Sequence, residues 1–357
     1  MDGSQQRGPV STRPARSGAE LSAAGAISPD KIAEIDRVAQ RYAVAVTQDM
    51  LALIDPHDPA DPIARQFVPS EAELTTAGEE RSDPIGDDRL SPLKGIVHRY
   101  PDRVLLKPLH SCPVYCRFCF RREAVGPGGE TLTDAEMTAA LDYIRGHEEV
   151  WEVILTGGDQ LQLSARRLGE IVGALDAIAH VAVIRIHTRV PVVAPDRIGD
   201  ELVHALSADK AVYVVLHANH PREMTEAAAR ACRRITGAGI PMLAQTVLLH
   251  GVNDDPIVLE ALLRTFVRHR IKPYYLHQAD LAPGTAHFRT SIAAGQALMR
   301  HLRGRVSGLC QPEYVLDIPG GHGKVPVGPT YLDHGKVADW RGTVHDYPSI
   351  AKPIAAG

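Results

Sequence analysis

Three cysteines, Cys112, Cys116 and Cys119, stand in the spacing C-x3-C-x2-C, with no fourth cysteine close by in sequence. A set of three thiolates can hold a cubane iron–sulfur cluster and leave one iron open to a reactant, whereas a structural metal site closes its coordination shell. Zinc bound by the same cysteines and completed by His110 is the competing reading of this spacing. Further along, Gly157 and Gly158 allow close backbone approach to a ligand, and Asp159 can accept from an ammonium or cap a helix. Lys324 stands behind Pro319-Gly320-Gly321-His322-Gly323, but Val325 follows where a nucleotide P-loop requires Ser or Thr, so that motif is rejected. Arg99 and Arg103 flank Tyr100-Pro101-Asp102, and a pair of guanidinium forks suits a phosphate dianion as well as a charged surface.

Such scattered groups need a scaffold that gathers them. Ser28-Pro29-Asp30 marks a helix start, and apolar spacing over Lys31–Leu53 predicts a helix there. From Ile54 to Asp88 the chain is crowded with Pro, Asp and Glu. A short helix near Ser70–Ala77 is predicted within it, making residues 28–90 a helical extension and a covering segment or linker. From about Gly95, β-rich runs alternate with longer helix-like stretches: Arg103–Lys107, Val153–Leu155, Ala182–Ile186, Val212–Leu216, Met242–Leu248 and Pro273–Leu276. The cysteine loop follows the first run, Thr156-Gly157-Gly158-Asp159 the second, His187 and Arg189 the third, and His217 the fourth. Gln245 lies within the fifth and Asp280 follows the sixth. Polar groups fanned around many strand ends indicate a curled, barrel-type sheet, whereas a doubly wound sheet concentrates its ligand at one switch point. The expected class is α/β, a partial (β/α)6 TIM-type barrel over residues 91–332 with an N-terminal helical extension, a disordered tail over 1–27 and a C-terminal extension over 333–357.

Composition narrows the setting. The chain of 357 residues is 44% hydrophobic and 23% charged, enough to bury a large core. Its net charge of −4 gives no electrostatic case for a nucleic-acid partner, and no apolar run approaches the roughly 20 residues of a membrane span. Met1–Gly25 lacks the apolar stretch of a secretory signal. Five cysteines, three of them clustered, argue for thiolate chemistry in the reducing cytoplasm, with Cys232 and Cys310 as small buried apolar residues.

The segment RYPDRVLLKPLHSCPVYCRFCFRR from Arg99 to Arg122 is followed in order by LTGGDQLQL, IHTRVPVV, LHANHPREMT, QTVLLHGVNDD, YYLHQADL and DIPGGHGKVPV. Together they resemble the lysine 2,3-aminomutase family of radical S-adenosylmethionine enzymes, over about residues 90 to 332. The resemblance implies a barrel of the radical S-adenosylmethionine class and a [4Fe–4S] cluster on Cys112, Cys116 and Cys119. It also implies S-adenosylmethionine bound with the help of Gly157, Gly158, Asp159 and Gln245, and pyridoxal phosphate carried by Lys324 with Arg99 and Arg103 on its phosphate. Arg121 would bind the substrate α-carboxylate, and Asp280 and Asp317 the distal ammonium of lysine.

Two carboxylates together repel unless a cation lies between them, so a diamino acid suits this pair better than glutamate. The implied reaction is an isomerisation, L-lysine to β-lysine, with a one-electron reductant such as flavodoxin or ferredoxin as partner. Arginine as substrate, or a non-catalytic metal-binding protein, are the alternatives. Asp255 stands in GVNDD where the clostridial-type member has a zinc cysteine, and no cysteine group precedes Gly357, so a homo-oligomer without intersubunit zinc is expected. The run Tyr274–His277 is shared with the branch that makes β-lysine for elongation factor P, although that branch has Glu where Asp317 stands.

Overall fold

In the computed structural model, residues 13–126, 128–129 and 131–347 are described, so the expectations for residues 1–12 and 348–357 lie outside them. The first of the described helices, α1 (Gly18–Ala23), starts where the Ser17 hydroxyl accepts the Glu20 N–H, within a stretch expected to be a disordered tail. The helix predicted over Lys31–Leu53 is interrupted: α2 (Ile32–Ala39) and α3 (Gln48–Leu51) are separate. Between them Val44 and Val46, β-branched and buried, run in extended form. Val46 pairs with Ala15, and the Ala45 carbonyl accepts the Tyr115 N–H at 3.0 Å. Tertiary pairing with the cysteine loop therefore outcompetes helix continuation. Next comes α4 (Pro62–Phe67), capped by Asp61, and the predicted Ser70 helix shrinks to one 3-10 turn, Glu71–Leu74, closed by a reciprocal Ser70–Glu73 cap.

The catalytic scaffold begins with the hairpin β1 (Ile96–Tyr100) and β2 (Arg103–Leu109). Helix α5 (Asp134–Arg145) leads to β3 (Glu152–Gly157), α6 (Ala165–Asp176) to β4 (Val183–Thr188), and α7 (Val190–Val193) with α8 (Asp200–His204) to β5 (Ala211–His217). Then α9 (Glu226–Gly237) leads to β6 (Met242–Leu248), α10 (Pro256–Arg268) to β7 (Ile271–Gln278), and α11 (Ile292–Leu302) to β8 (Glu313–Asp317) and β9 (Lys324–Pro326). Among the described residues these form a nine-stranded sheet in sequential order, with β2 through β8 parallel and β1 and β9 antiparallel at its two edges. The six predicted strand–helix units are present as an open, curled half-barrel. Strands β1, β8 and β9 were not predicted; EYVLD of β8 is only five residues long and is followed by glycines, so it carries little periodic signal. A small sheet of β10 (Leu332–Asp333), β11 (Lys336–Ala338) and β12 (Val344–Asp346) follows. No helix among the described residues is long and apolar enough to cross a membrane.

Strand alternation sorts the side chains into two populations. Val104 and Leu106, Val153 and Leu155, Ile184 and Ile186, and Val214 and Leu216 are buried on the helix-covered face. The opposite face is mixed, with the apolar Ile154 and Val215 standing among polar groups. His217 is in register with Gln245 and Gln245 with Tyr275, while His187 and His277 lie two residues along from the partners of this row, so all share one face. A packed TIM barrel fills its interior with branched apolar side chains. This interior carries Arg, Lys, His, Gln and Asp as well, the lining of a ligand chamber.

Candidate active site

Cys112, Cys116 and Cys119 lie on the loop after β2, free and half-buried. The N-terminal extension holds that loop from outside. The Arg117 N–H donates to the Gln66 carbonyl at 2.9 Å, and the Arg117 guanidinium grips the buried Glu73 carboxylate through Nε at 3.0 and 3.1 Å and Nη2 at 2.6 Å. Arg122 binds the same carboxylate. Burial pushes the Cys112 thiol well above its ordinary range and the Cys119 thiol up to about 11, with the charge of neighbouring cysteines adding. Among the described residues, His110 included, no three His, Cys, Asp or Glu groups converge on a point that one ion could occupy. A cubane asks for one sulfur on each of three separate irons, and three thiolates are the donor set that leaves a fourth iron open.

Beside this loop runs the turn after β3. A Cβ at Gly158 would sit 2.2 Å from the Ser111 carbonyl oxygen, so only glycine lets the two loops cross. The Asp159 N–H donates to that same carbonyl at 3.0 Å. Its buried carboxylate accepts from Leu161 N–H (3.2 Å) and the Thr188 hydroxyl (2.7 Å) on one oxygen, and from Arg189 N–H (2.6 Å) and Val190 N–H (3.2 Å) on the other. The carboxylate thus caps two short helical turns, and the glycine backbone is what the turn presents beside the cysteines.

At the other sheet edge, Asp317 and Lys324 are directly opposed in the β8–β9 pair, and the Lys324 ammonium donates to the Asp317 carboxylate. Lys324 Nζ is also 3.3 Å from His277 Nδ1 and 5.5 Å from the Tyr275 ring. Its backbone N–H donates to the Tyr100 hydroxyl at 2.7 Å, and the Arg103 guanidinium lies 3.8 Å over the Tyr100 ring while pairing with Asp102 at 2.6 Å. Arg99 donates to the Ile85 carbonyl (2.7 Å), Asp87 (3.1 Å) and Asp317 (3.4 Å). Arg121 donates to Asp87 through Nε and Nη2 at 3.0 and 2.8 Å and approaches the Thr156 hydroxyl at 3.5 Å.

Asp87, which sequence reasoning missed, is therefore the hub joining the two arginines, with Lys107 4.0 Å away. Its segment is seated on the glycine run: the Gly320 N–H donates to the Pro84 carbonyl at 3.3 Å, and a Cβ at Gly86 would meet Gly321 N at 2.6 Å. Burial lifts the Asp280 carboxyl to about 7, nearby Asp317 raises it further, and Lys324, Arg121 and Arg99 pull it back. Burial likewise holds His187 and His277 well below the usual histidine range and His217 down at about 3, so all three are neutral. Buried Arg99 Nε, His187 Nε2 and His217 Nε2 have no hydrogen-bond partner among the described residues. Orphaned polar atoms on one lined face are what a polar ligand would satisfy.

Residues from opposite ends of the sequence thus meet in one network. It runs from Arg121, two residues beyond Cys119 on the cysteine loop, through Asp87, Arg99 and Asp317 to Lys324.

Residues 106–261 match the radical SAM superfamily, and residues 299–348 match a family described as lysine-2,3-aminomutase. The chain is 43% identical to L-lysine 2,3-aminomutase of Clostridium subterminale over 85% of this chain and 74% of that one. It is 42% identical to the enzyme of the same name from Acetoanaerobium sticklandii, over 90% and 79%. Glutamate 2,3-aminomutase of Clostridioides difficile is 37% identical over 88% and 76%. A solved radical SAM methyltransferase from Sphaerobacter thermophilus is 22% identical, with a TM-score of 0.45 over 62% of this chain and 68% of that one. Matched over most of its length by relatives of this kind, the chain belongs to the lysine 2,3-aminomutase family of radical S-adenosylmethionine enzymes.

Proposed function

We propose that this isomerase converts L-lysine to β-lysine by moving the α-amino group to Cβ. The observation that carries the reading is the continuous network from the cluster loop to Lys324. The family's cofactors are a [4Fe–4S] cluster, S-adenosylmethionine and pyridoxal phosphate. When bound, the first two supply a hydrogen-abstracting carbon radical and the third a π system over which nitrogen can migrate.

In this reading Cys112, Cys116 and Cys119 would hold the cluster. The Gly157–Gly158 backbone, fixed by Asp159, would help to bind S-adenosylmethionine together with Gln245. Lys324 would anchor pyridoxal phosphate, with Arg99 and Arg103 toward its phosphate; Arg99 Nε is buried with no partner among the described residues and so has a donor to offer. Arg121 keeps a guanidinium edge for the α-carboxylate while Asp87 fixes its orientation.

The distal end of the substrate falls to Asp280 and Asp317. A primary ammonium already rests on Asp317, that of Lys324 itself, so this carboxylate suits the same group on a substrate. Asp280, its carboxyl raised by burial to about 7, is only partly ionised near neutral pH until a cation arrives. A glutamate side chain would bring a third carboxylate to this pair and be repelled. An external one-electron donor of the flavodoxin or ferredoxin class reduces the cluster, and the chain works as a homo-oligomer without intersubunit zinc; Asp255 caps α10. The β-lysine serves elongation factor P, a reading supported by the run Tyr274–His277, whose histidine touches Lys324.

The test is anaerobic reconstitution followed by incubation with lysine, arginine and glutamate separately. β-Lysine is expected to form at least about 100-fold faster than either alternative product. Faster isomerisation of arginine or glutamate would overturn the substrate assignment.

A further inference from the structure

Arg189 is buried, yet its charge serves neither substrate end described above. Its Nη1 donates to Cys116 Sγ at 2.8 Å. Its Nη2 is held by Glu223 at 2.7 Å and by the Gln66 side-chain carbonyl at 2.6 Å, and its Nε is buried without a partner among the described residues. The guanidinium lies 4.5 Å from the centre of the Phe67 ring and 5.5 Å from that of Phe118, so water is largely excluded around it. Every part of this setting is itself fixed. The Arg189 N–H is bound by Asp159, Glu223 accepts from the Asn219 and His220 N–H groups at 2.9 Å, and Gln66 also accepts from Asn219 at 3.0 Å. A cation locked against one cysteine sulfur, with a single counter-carboxylate behind it, is more than packing requires, since burying a charge is costly.

We propose that Arg189 is a positioning residue that sets the reduction potential of the cluster through its hydrogen bond to Cys116 Sγ, with Glu223 as the opposing control. The inference rests on the assignment of Cys112, Cys116 and Cys119 as cluster ligands. Reduction by the external one-electron donor adds one negative charge to a cluster that three thiolates already make anionic. A fixed guanidinium on a ligand sulfur stabilises that added charge, and hydrogen bonds to sulfur and local charge are established levers on such potentials. Glu223 acts in the opposite sense from the far side of the same guanidinium.

The experiment is an EPR-monitored redox titration of the reconstituted full-length protein, wild type against Arg189→Gln, Arg189→Lys and Glu223→Gln, with iron and sulfide assayed in each. Arg189→Gln should lower the midpoint, making the ratio of reduced to oxidised cluster at least tenfold smaller at a fixed potential, a shift of about 59 mV for one electron. Arg189→Lys, which keeps the charge, should shift less. Glu223→Gln should move the midpoint the other way, a signature that general loosening of the loop would not produce. Should Arg189→Gln fail to hold a cluster, the opposed shifts of Arg189→Lys and Glu223→Gln still decide. Intact clusters with unchanged midpoints, or shifts in the same direction for both residues, would overturn the role of Arg189 while leaving the cluster assignment standing. Wild-type protein that takes up no [4Fe–4S] cluster would overturn the assignment and this inference together.

Discussion

The side chain on which the site turns is Asp87. Two arginines and a lysine surround its carboxylate, and the arginines pull it below the usual carboxylate range against the cost of its burial. Asp87→Asn keeps the shape and removes the charge that holds Arg121 and Arg99 together. Losing one partner of such a buried cluster typically costs about 2–5 kcal/mol. In steady-state assays kcat/KM should fall by at least about tenfold, carried more by KM than by kcat.

Asp280 gives a second outcome, one of pH. Burial, with Asp317 adding, raises its carboxyl from 3.8 to about 7, so below that pH an incoming ammonium must displace a proton. KM for lysine should therefore drop about tenfold per pH unit as pH climbs toward 7, then level off, and Asp280→Asn should erase the inflection. The same raised value means that the ligand-free fold loses this contribution to stability as pH rises through about 7. Asp280 and Asp317 were legible in the sequence through their resemblance and their repulsion. Asp87 was not, because DPIGDD has the composition of a turn and its partners, Arg99 and Arg121, lie 12 and 34 residues away.

Elements explain why such distant groups can meet. The strand–helix alternation was plain in the sequence because each of the six predicted strands is a run of apolar and β-branched residues bounded by polar ones. What escaped was the edge strand β1 and the last pair, β8 and β9, and with that pair the reason Asp317 reaches Lys324: seven residues apart in sequence, they oppose each other across an antiparallel turn. The Lys31–Leu53 stretch failed in the other direction, since helical spacing there is overridden by Val44–Val46 pairing with Ala15 and the cysteine loop. The crossing of the β2 and β3 loops is the most constrained junction. Gly158→Ala would place a Cβ 2.2 Å from the Ser111 carbonyl and must displace the residue next to Cys112. The variant should keep native far-UV circular dichroism but bind less than half the iron of the wild type; full iron content would show that the loop can yield.

For the whole molecule, the N-terminal extension is a structural half of the site and not a linker. Glu73 is the only carboxylate among the described residues that binds both Arg117 and Arg122, and all three are buried. Glu73→Ala would leave two cations unpaired under the cluster loop, and a loss of about 3–5 kcal/mol in denaturant unfolding is expected; a change below about 1 kcal/mol would mean that the loop is held by other contacts. Sequence patterning announced the barrel but could not announce this clamp, which joins residues 44 and 49 positions apart.

The central claim is that the thiolate end and the Lys324 end open onto one chamber and serve one substrate. Its most direct test is to supply the reconstituted, reduced protein with lysine deuterated at C3, then analyse the recovered 5′-deoxyadenosine by mass spectrometry. Deuterium should enter its 5′ carbon, and Lys324→Ala should abolish that transfer while cluster iron is retained. Recovery of 5′-deoxyadenosine free of deuterium while β-lysine accumulates would show that the two ends do not share a substrate.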